Sequence, residues 1–175
     1  MTINCVNNVK QIAVSFLMWA EDHNDKYPME ISTANGGTME LAATGDVVST
    51  FQIMSNELNT PKILFCPMDP NHDFAAIRWT NFTAKNVSYF IGLDANTNRS
   101  QAFISGDDNF AVGGVPVKSG LLEISTNAPI TWTAARHEFT GNIGLADGSV
   151  EQVNDQLLVQ KMIETGLATN RLAIP

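Results

Sequence analysis

His137, Asp147 and Ser149 are the residue types of a hydrolase triad, close together near the C-terminal end of the chain. A serine hydroxyl becomes a nucleophile only beside a base that an acid orients. No Gly-x-Ser-x-Gly elbow accompanies these three, and Asp147-Gly148 has a sufficient role as a hairpin turn, so they read as architecture and the chain reads as a non-enzyme. His23 and His72 stand singly in polar stretches. Neither has a metal-spaced partner apart from Asp69 and Asp73 beside His72, so both are expected at the surface. Cys5 and Cys66 match no zinc or redox motif. A bridge between them would tie the chain's start to the Leu64-Phe65-Cys66-Pro67 stretch. Two free buried thiols are the alternative, and spacing decides for neither. Asp94, Asn96 and Asn98 alternate like the start of a calcium loop, with Asp107 and Asp108 close behind. The sixth and twelfth positions of such a loop are Arg99 and Ser105, where glycine and glutamate are needed, so an EF-hand is excluded. A calcium site there would rest on residue type alone, against simple turn chemistry.

The composition bounds the answer. A chain of 175 residues with 44% hydrophobic side chains can bury one substantial core without metals or disulfides. Its net charge of −8, with ten scattered Lys and Arg, argues against nucleic acid or an anionic membrane as partner. No apolar run reaches the roughly 18 residues of a membrane span.

The elements that must position these residues begin with a helix over 3–22. Val6, Val9, Ile12, Ala13, Phe16, Leu17 and Ala20 form one apolar stripe, with Asn7, Asn8, Lys10, Gln11 and Ser15 mostly opposite. Asp22 to Pro28 ends it. Residues 23–86 read as a helix- and loop-rich middle. Asp46 caps a helix over 47–58, Lys62–Cys66 is a short strand or buried extended segment, and 67–86 is a long surface excursion whose Trp79 and Phe82 could serve a binding module. An antiparallel sheet is expected over 87–153. Strands at 88–93 and 101–105 form a hairpin, 121–124 and 130–132 are further strands, and 142–145 pairs with 150–153 across Asp147-Gly148. A helix over 156–164, facing the sheet through Leu157, Leu158 and Met162 and stopped by Gly166, precedes a tail within 154–175. The fold class is α+β in a single domain.

Three stretches taken together resemble a known family. Cys5-Val6-Asn7-Asn8-Val9-Lys10-Gln11-Ile12, the break Asp22-His23-Asn24-Asp25-Lys26-Tyr27-Pro28, and His137 followed by Asp147-Gly148 are similar to the pilin-like proteins of bacterial type II secretion and type IV pilus systems, closest to the pseudopilin-like group with an H-x9-DG signature. Val9 stands where that group usually has leucine. The resemblance implies a long N-terminal helix packed on an antiparallel sheet, and a structural filament subunit partnered by other pilin-like subunits and secretion machinery. It also implies a periplasmic or surface location, with an apolar helix half upstream of Met1 as membrane anchor. No cofactor is implied, although some major pseudopilins bind calcium in a sheet-domain loop. On this reading His137 lies near the Asp147 turn or the edge of the next strand, and Gly141 permits the curl that brings it there.

Overall fold

The computed structural model describes residues 2–72 and 74–175. The N-terminal periodicity becomes α1 (Thr2–Glu21). Val9, Ile12, Ala13 and Phe16 are buried along it, with Val6 and Leu17 at the margin. The buried stripe is wider than the apolar spacing implies, because Cys5, Ser15 and Trp19 turn inward too. Ser15 does so without cost to its hydroxyl, which donates to the Gln11 carbonyl at 2.8 Å and reaches the Glu57 carbonyl at 3.2 Å. The helix gives way where Asn24 and Asp25 adopt left-handed backbone angles, φ 57° and 56°, which these residue types tolerate.

The middle of the chain folds as short helical pieces. These are α2 (Met39–Ala42), α3 (Val47–Ile53) and α4 (Ser55–Leu58), interspersed with 3-10 turns. Asp46 caps α3, its carboxylate accepting from Ser49 N at 3.1 Å. The single helix expected over 47–58 is divided at Met54, and the change of direction lays α4 against α1. Lys62–Cys66 is not a strand. Pro61 in the first helical position and the Thr60 hydroxyl, accepting from Lys62 N, start a 3-10 turn over Pro61–Leu64 that leaves only Phe65 onward extended. The excursion over 67–86 is partly interior, since Asp69, Ala76, Phe82 and Asn86 are buried.

Among the described residues nine strands follow: β1 (Tyr89–Gly92), β2 (Phe103–Asp107), β3 (Phe110–Val112), β4 (Val115–Pro116), β5 (Gly120–Ser125), β6 (Ile130–Trp132), β7 (Thr140–Leu145), β8 (Val150–Asn154) and, after α5 (Asp155–Glu164), β9 (Thr169–Ile174). Six form one antiparallel sheet in the order β5-β9-β1-β2-β7-β8, and β4-β3-β6 form a second. Both expected hairpins are present, with Phe90 opposite Gly106 and Asn142 opposite Gln152. The stretch expected to be a tail is corrected: β9 is an interior strand, pairing Leu172 with Leu122 on one side and with Gly92 on the other. Leu172, Ala173 and Ile174 are all buried, so no alternation marks them as a strand.

The large sheet is covered on both faces. Tyr89 and Ile91 of β1 join the core under α1, whereas Phe90 between them joins Phe103, Phe110, Trp132 and Ile143 in a second core on the other side. α5 closes this second core with Leu158 and Met162, while Leu157, expected to face inward, is exposed. Asn154 caps α5, accepting from Leu157 N at 2.9 Å, which places Leu157 on the outer turn.

The Asp147-Gly148 turn is the hairpin end nearest α1. Gly148 has φ +81°, and a side chain there would also approach Leu17 to 2.7 Å. Its carbonyl accepts from the Lys10 ammonium, and the Tyr27 hydroxyl donates to the neighbouring Ala146 carbonyl at 2.7 Å. Asn8, on the polar side of the helix by residue type, is likewise engaged: its amide donates to the Phe65 carbonyl at 3.1 Å and to the Tyr89 hydroxyl at 3.2 Å. In denaturant melts Phe16→Ala is expected to cost ~3–5 kcal/mol through lost burial and a residual cavity. Asn8→Ala is expected to cost ~1–2 kcal/mol, because it leaves Tyr89 and Phe65 without a partner. A neutral result for both would mean that α1 is not the spine of the fold.

Candidate functional site

After Ala135 the chain delivers two basic side chains, one after the other, into the interior. Arg136 is 1% exposed. Its Nη1 donates to the Ser88 carbonyl at 2.8 Å and lies 3.7 Å from Asp107 Oδ1, while Nη2 lies 3.5 Å from Asp69 Oδ2 and in contact with Asp108 Oδ1. Three carboxylates thus converge on one guanidinium. Burial works against the Asp69 charge, but the hydrogen bond from His72 Nδ1 at 2.5 Å and the neighbouring Arg136 outweigh it and hold that carboxyl at about 2.

His137 is aimed into the same cluster by its backbone. His137, Glu138 and Phe139 have φ of 51°, 51° and 62°, a single left-handed turn made without glycine and closed by the Thr140 hydroxyl, which donates to the His137 carbonyl at 2.6 Å. Each such residue costs roughly 1–2 kcal/mol, so the turn persists because Arg136 and His137 are anchored on either side of its start. The curl is therefore not made by Gly141. That residue lies in β7, where a side chain would stand 2.3 Å from the Trp132 ring.

His137 Nε2 is 3.5 Å from Cys66 Sγ and 3.6 Å from Asp107 Oδ2. Placing it beside the Asp147 turn is thus corrected. Asp147 is taken up by its own turn, accepting from Ser149 N at 2.9 Å and from the Ser149 hydroxyl. The contact with Asp107 and then that with Cys66 outweigh burial and raise His137 to about 9, a second positive charge among the three carboxylates. Asp107 is itself fixed by β7, accepting from Asn142 N at 2.7 Å and Asn142 Nδ2 at 2.8 Å.

Cys66, His137 and Asp107 have the composition of a cysteine-protease triad but not its wiring. In a working triad the base turns one ring nitrogen to the nucleophile and the other to the acid. Here Nε2 faces both. The Cys66 thiol is also fully buried and pushed up, first by its hydrogen bond with Cys5 and then by burial, the opposite of a nucleophile's environment. The geometry does not support nucleophilic catalysis.

The other candidates are dispersed. Asp94 pairs with Arg171, its Oδ1 accepting from Nη2 at 2.6 Å and from Nε at 2.9 Å, and Asn96 caps its own turn by accepting from Asn98 N at 3.1 Å. Asp107 and Asp108 face Arg136, so the five calcium candidates do not share a site. Among the described residues the one cluster with metal-ligand chemistry is Cys5, Cys66 and His137, whose ligand atoms lie within 4.8 Å of one another. His23 stacks on Trp19 with ring centroids 3.5 Å apart, and Asp73 lies outside the described residues. Phe82 is buried with Trp79 packed edge-on against it at 5.3 Å, so neither offers an open aromatic platform. Asn7 and Gln11 point outward and share only a local bond within α1. Arg136, Asp69 and Asn142 are absent from the expected site. Their sequence signal was the Arg-His pair at 136–137 and the Cys-Pro-Met-Asp order at 66–69, neither of which names a partner.

No family model matches this chain, and no curated protein or solved structure matches it either.

The cluster predicts a bounded stability profile. A group raised from 6.5 to about 9, as His137 is, stabilises fully below pH 6.5, and its contribution is lost as pH rises through 9. Asp69, lowered from 3.8 to about 2, contributes fully above pH 3.8 and fails as pH falls through 2. With thiols held in one redox state, stability is expected to fall by roughly 2–3 kcal/mol across the basic limb, and His137→Asn is expected to flatten that limb. Arg136→Met leaves the carboxylates without their guanidinium and should cost ~3–5 kcal/mol near neutrality, less as pH is lowered. An unchanged basic limb in His137→Asn would show that the imidazole is not charged in the fold.

Proposed function

We propose that this chain is the extracytoplasmic part of a pilin-like structural subunit, related in role to the pseudopilins of bacterial type II secretion and type IV pilus systems, and not an enzyme. The observation that carries the reading is the two-sidedness of α1. One face is docked on the antiparallel sheet through β2, β7 and β8. The other leaves Ile3, Val14 and Met18 exposed, and a shallow groove between α1 and α4 is lined by Val14, Met18, Leu58 and Ile63. An amphipathic helix normally turns charge toward water, so apolar residues on both sides of α1 suit a helix that also meets a neighbouring subunit.

The residues of the family resemblance divide in a way that supports this assignment. Asn8, Lys10, Tyr27 and Gly148 link the helix to the sheet, and Cys5 and His137 meet at Cys66. Asn7 and Gln11 face outward beside the exposed apolar stripe, free to contact another subunit. Among the described residues no helix is long and apolar enough to cross a membrane. On the family resemblance, the proposal puts the anchor upstream of Met1, as an apolar continuation of α1.

The native gene is expected to encode about 20 apolar residues directly upstream of this helix, after a short basic leader. In cells making that full-length protein, Val14→Cys and Met18→Cys are expected to give oxidant-dependent ladders of cross-linked subunits. A native start at Met1, or a conventional signal peptide cleaved there, removes the filament reading, and so does a strictly monomeric product from both cysteine variants. The purified chain is expected to be inert toward ester, peptide and glycoside substrates. Turnover lost in His137→Ala at unchanged melting temperature would restore an enzymatic role.

A further inference from the structure

Cys5 lies in the first turns of α1, and Cys66 lies on the extended stretch after the Pro61–Leu64 turn. Nothing local brings them together. Their sulfurs are nevertheless 2.7 Å apart, and both residues are fully buried. Unbonded heavy atoms settle at about 3.5–4.0 Å, so this contact is too close for two independent thiols. Two outcomes relieve it. A disulfide draws the sulfurs in to about 2.05 Å. A tetrahedral ion with metal–sulfur bonds of about 2.3 Å, taking His137 as a third ligand, must push them out to about 3.8 Å. The bond needs the smaller movement. The carboxylate oxygen 3.6 Å from His137 Nε2, Asp107 Oδ2, already accepts two hydrogen bonds from Asn142.

We propose that Cys5 and Cys66 are a thiol pair built to be joined as a disulfide, which pins α1 to the segment leading into β1. The inference holds whether or not the chain is a filament subunit. In one of two equivalent orders, Cys5 is the attacking sulfur and Cys66 the one attacked. The electrons go to an external disulfide, protein or low-molecular-weight. Exchange at Cys66 first forms a mixed disulfide and releases one external thiol. The Cys5 thiolate then attacks the Cys66 sulfur, the Cys5–Cys66 bond forms, the mixed bond breaks, and the second external sulfur leaves as thiolate and takes up the proton that Cys5 lost. In sum two protein thiols and one external disulfide become one protein disulfide and two external thiols. Because neither sulfur reaches solvent in the folded chain, the exchange precedes the docking of α1, and the finished bond is sheltered from reductants.

The test is a thiol count on the full chain after refolding in an oxidising glutathione buffer, with alkylation under denaturing conditions and no reductant. The expected result is no label, two labels after reduction, and one cross-linked peptide pair holding Cys5 and Cys66. Reduction is expected to be about tenfold or more slower in the native protein than in denaturant, and to lower the melting temperature by several degrees. Cys5→Ser, refolded without glutathione, is expected to take one label and to melt identically with and without reductant. Two labels without reductant overturn the proposal, as do chains joined to one another through these cysteines. Stoichiometric zinc that protects both thiols until a chelator is added also overturns it, in favour of a metal held by Cys5, Cys66 and His137.

Discussion

The fold depends on keeping a guanidinium inside. Arg136 has essentially no contact with water, and its positive charge is tolerable there only because Asp69, Asp107 and Asp108 surround it and the Ser88 carbonyl accepts from it. These partners come from the turn after Cys66, the approach to β1 and the end of β2. The ion is satisfied only when all of these segments are in place together, so docking of the irregular middle and closure of the sheet are linked through one charge. Removing any one partner leaves buried charge behind, a larger penalty than the intact cluster's own contribution to stability. The three left-handed residues at 137–139 are affordable in the same way, since the side chains at their start are locked.

The residues that resemble a family signature act in this structure as couplings between α1 and everything else. Lys10 and Tyr27 hold the two carbonyls around the Asp147-Gly148 turn, and Asn8 holds Phe65 and Tyr89. Two of these contacts are charged or amide donors reaching backbone carbonyls. Such contacts set the position of the helix on the sheet, and the apolar stripe supplies the energy of holding it there.

Much of this was legible from the chain alone, for identifiable reasons. α1, both hairpins and the Asp46 cap follow from local signals: apolar spacing, Asp-Gly chemistry and an Asx side chain before a helical run. What escaped was non-local. β9 runs from three polar residues into the fully buried Leu172, Ala173 and Ile174 and so shows no apolar alternation, and the Lys62–Leu64 run looked strand-like until Pro61 and Thr60 are seen to start a turn. The site was half visible. His137 stood out by type, but its partners Cys66, Asp107 and Arg136 are joined only by tertiary structure, and Gly141 was assigned a backbone role when the constraint on it is the Trp132 ring. Charge balance inside a core leaves no periodic trace in a sequence.

The place of β9 between β5 and β1 also governs when the molecule can form during synthesis. Strands β1 and β5 are made early, yet each keeps an unsatisfied edge until residues 169–174 have left the ribosome, because that segment pairs with both. At usual elongation rates of about 5–20 residues per second, the chain spends several seconds with most of its sheet emerged and its centre open. Translation order itself keeps the centre of the sheet open until β9 arrives.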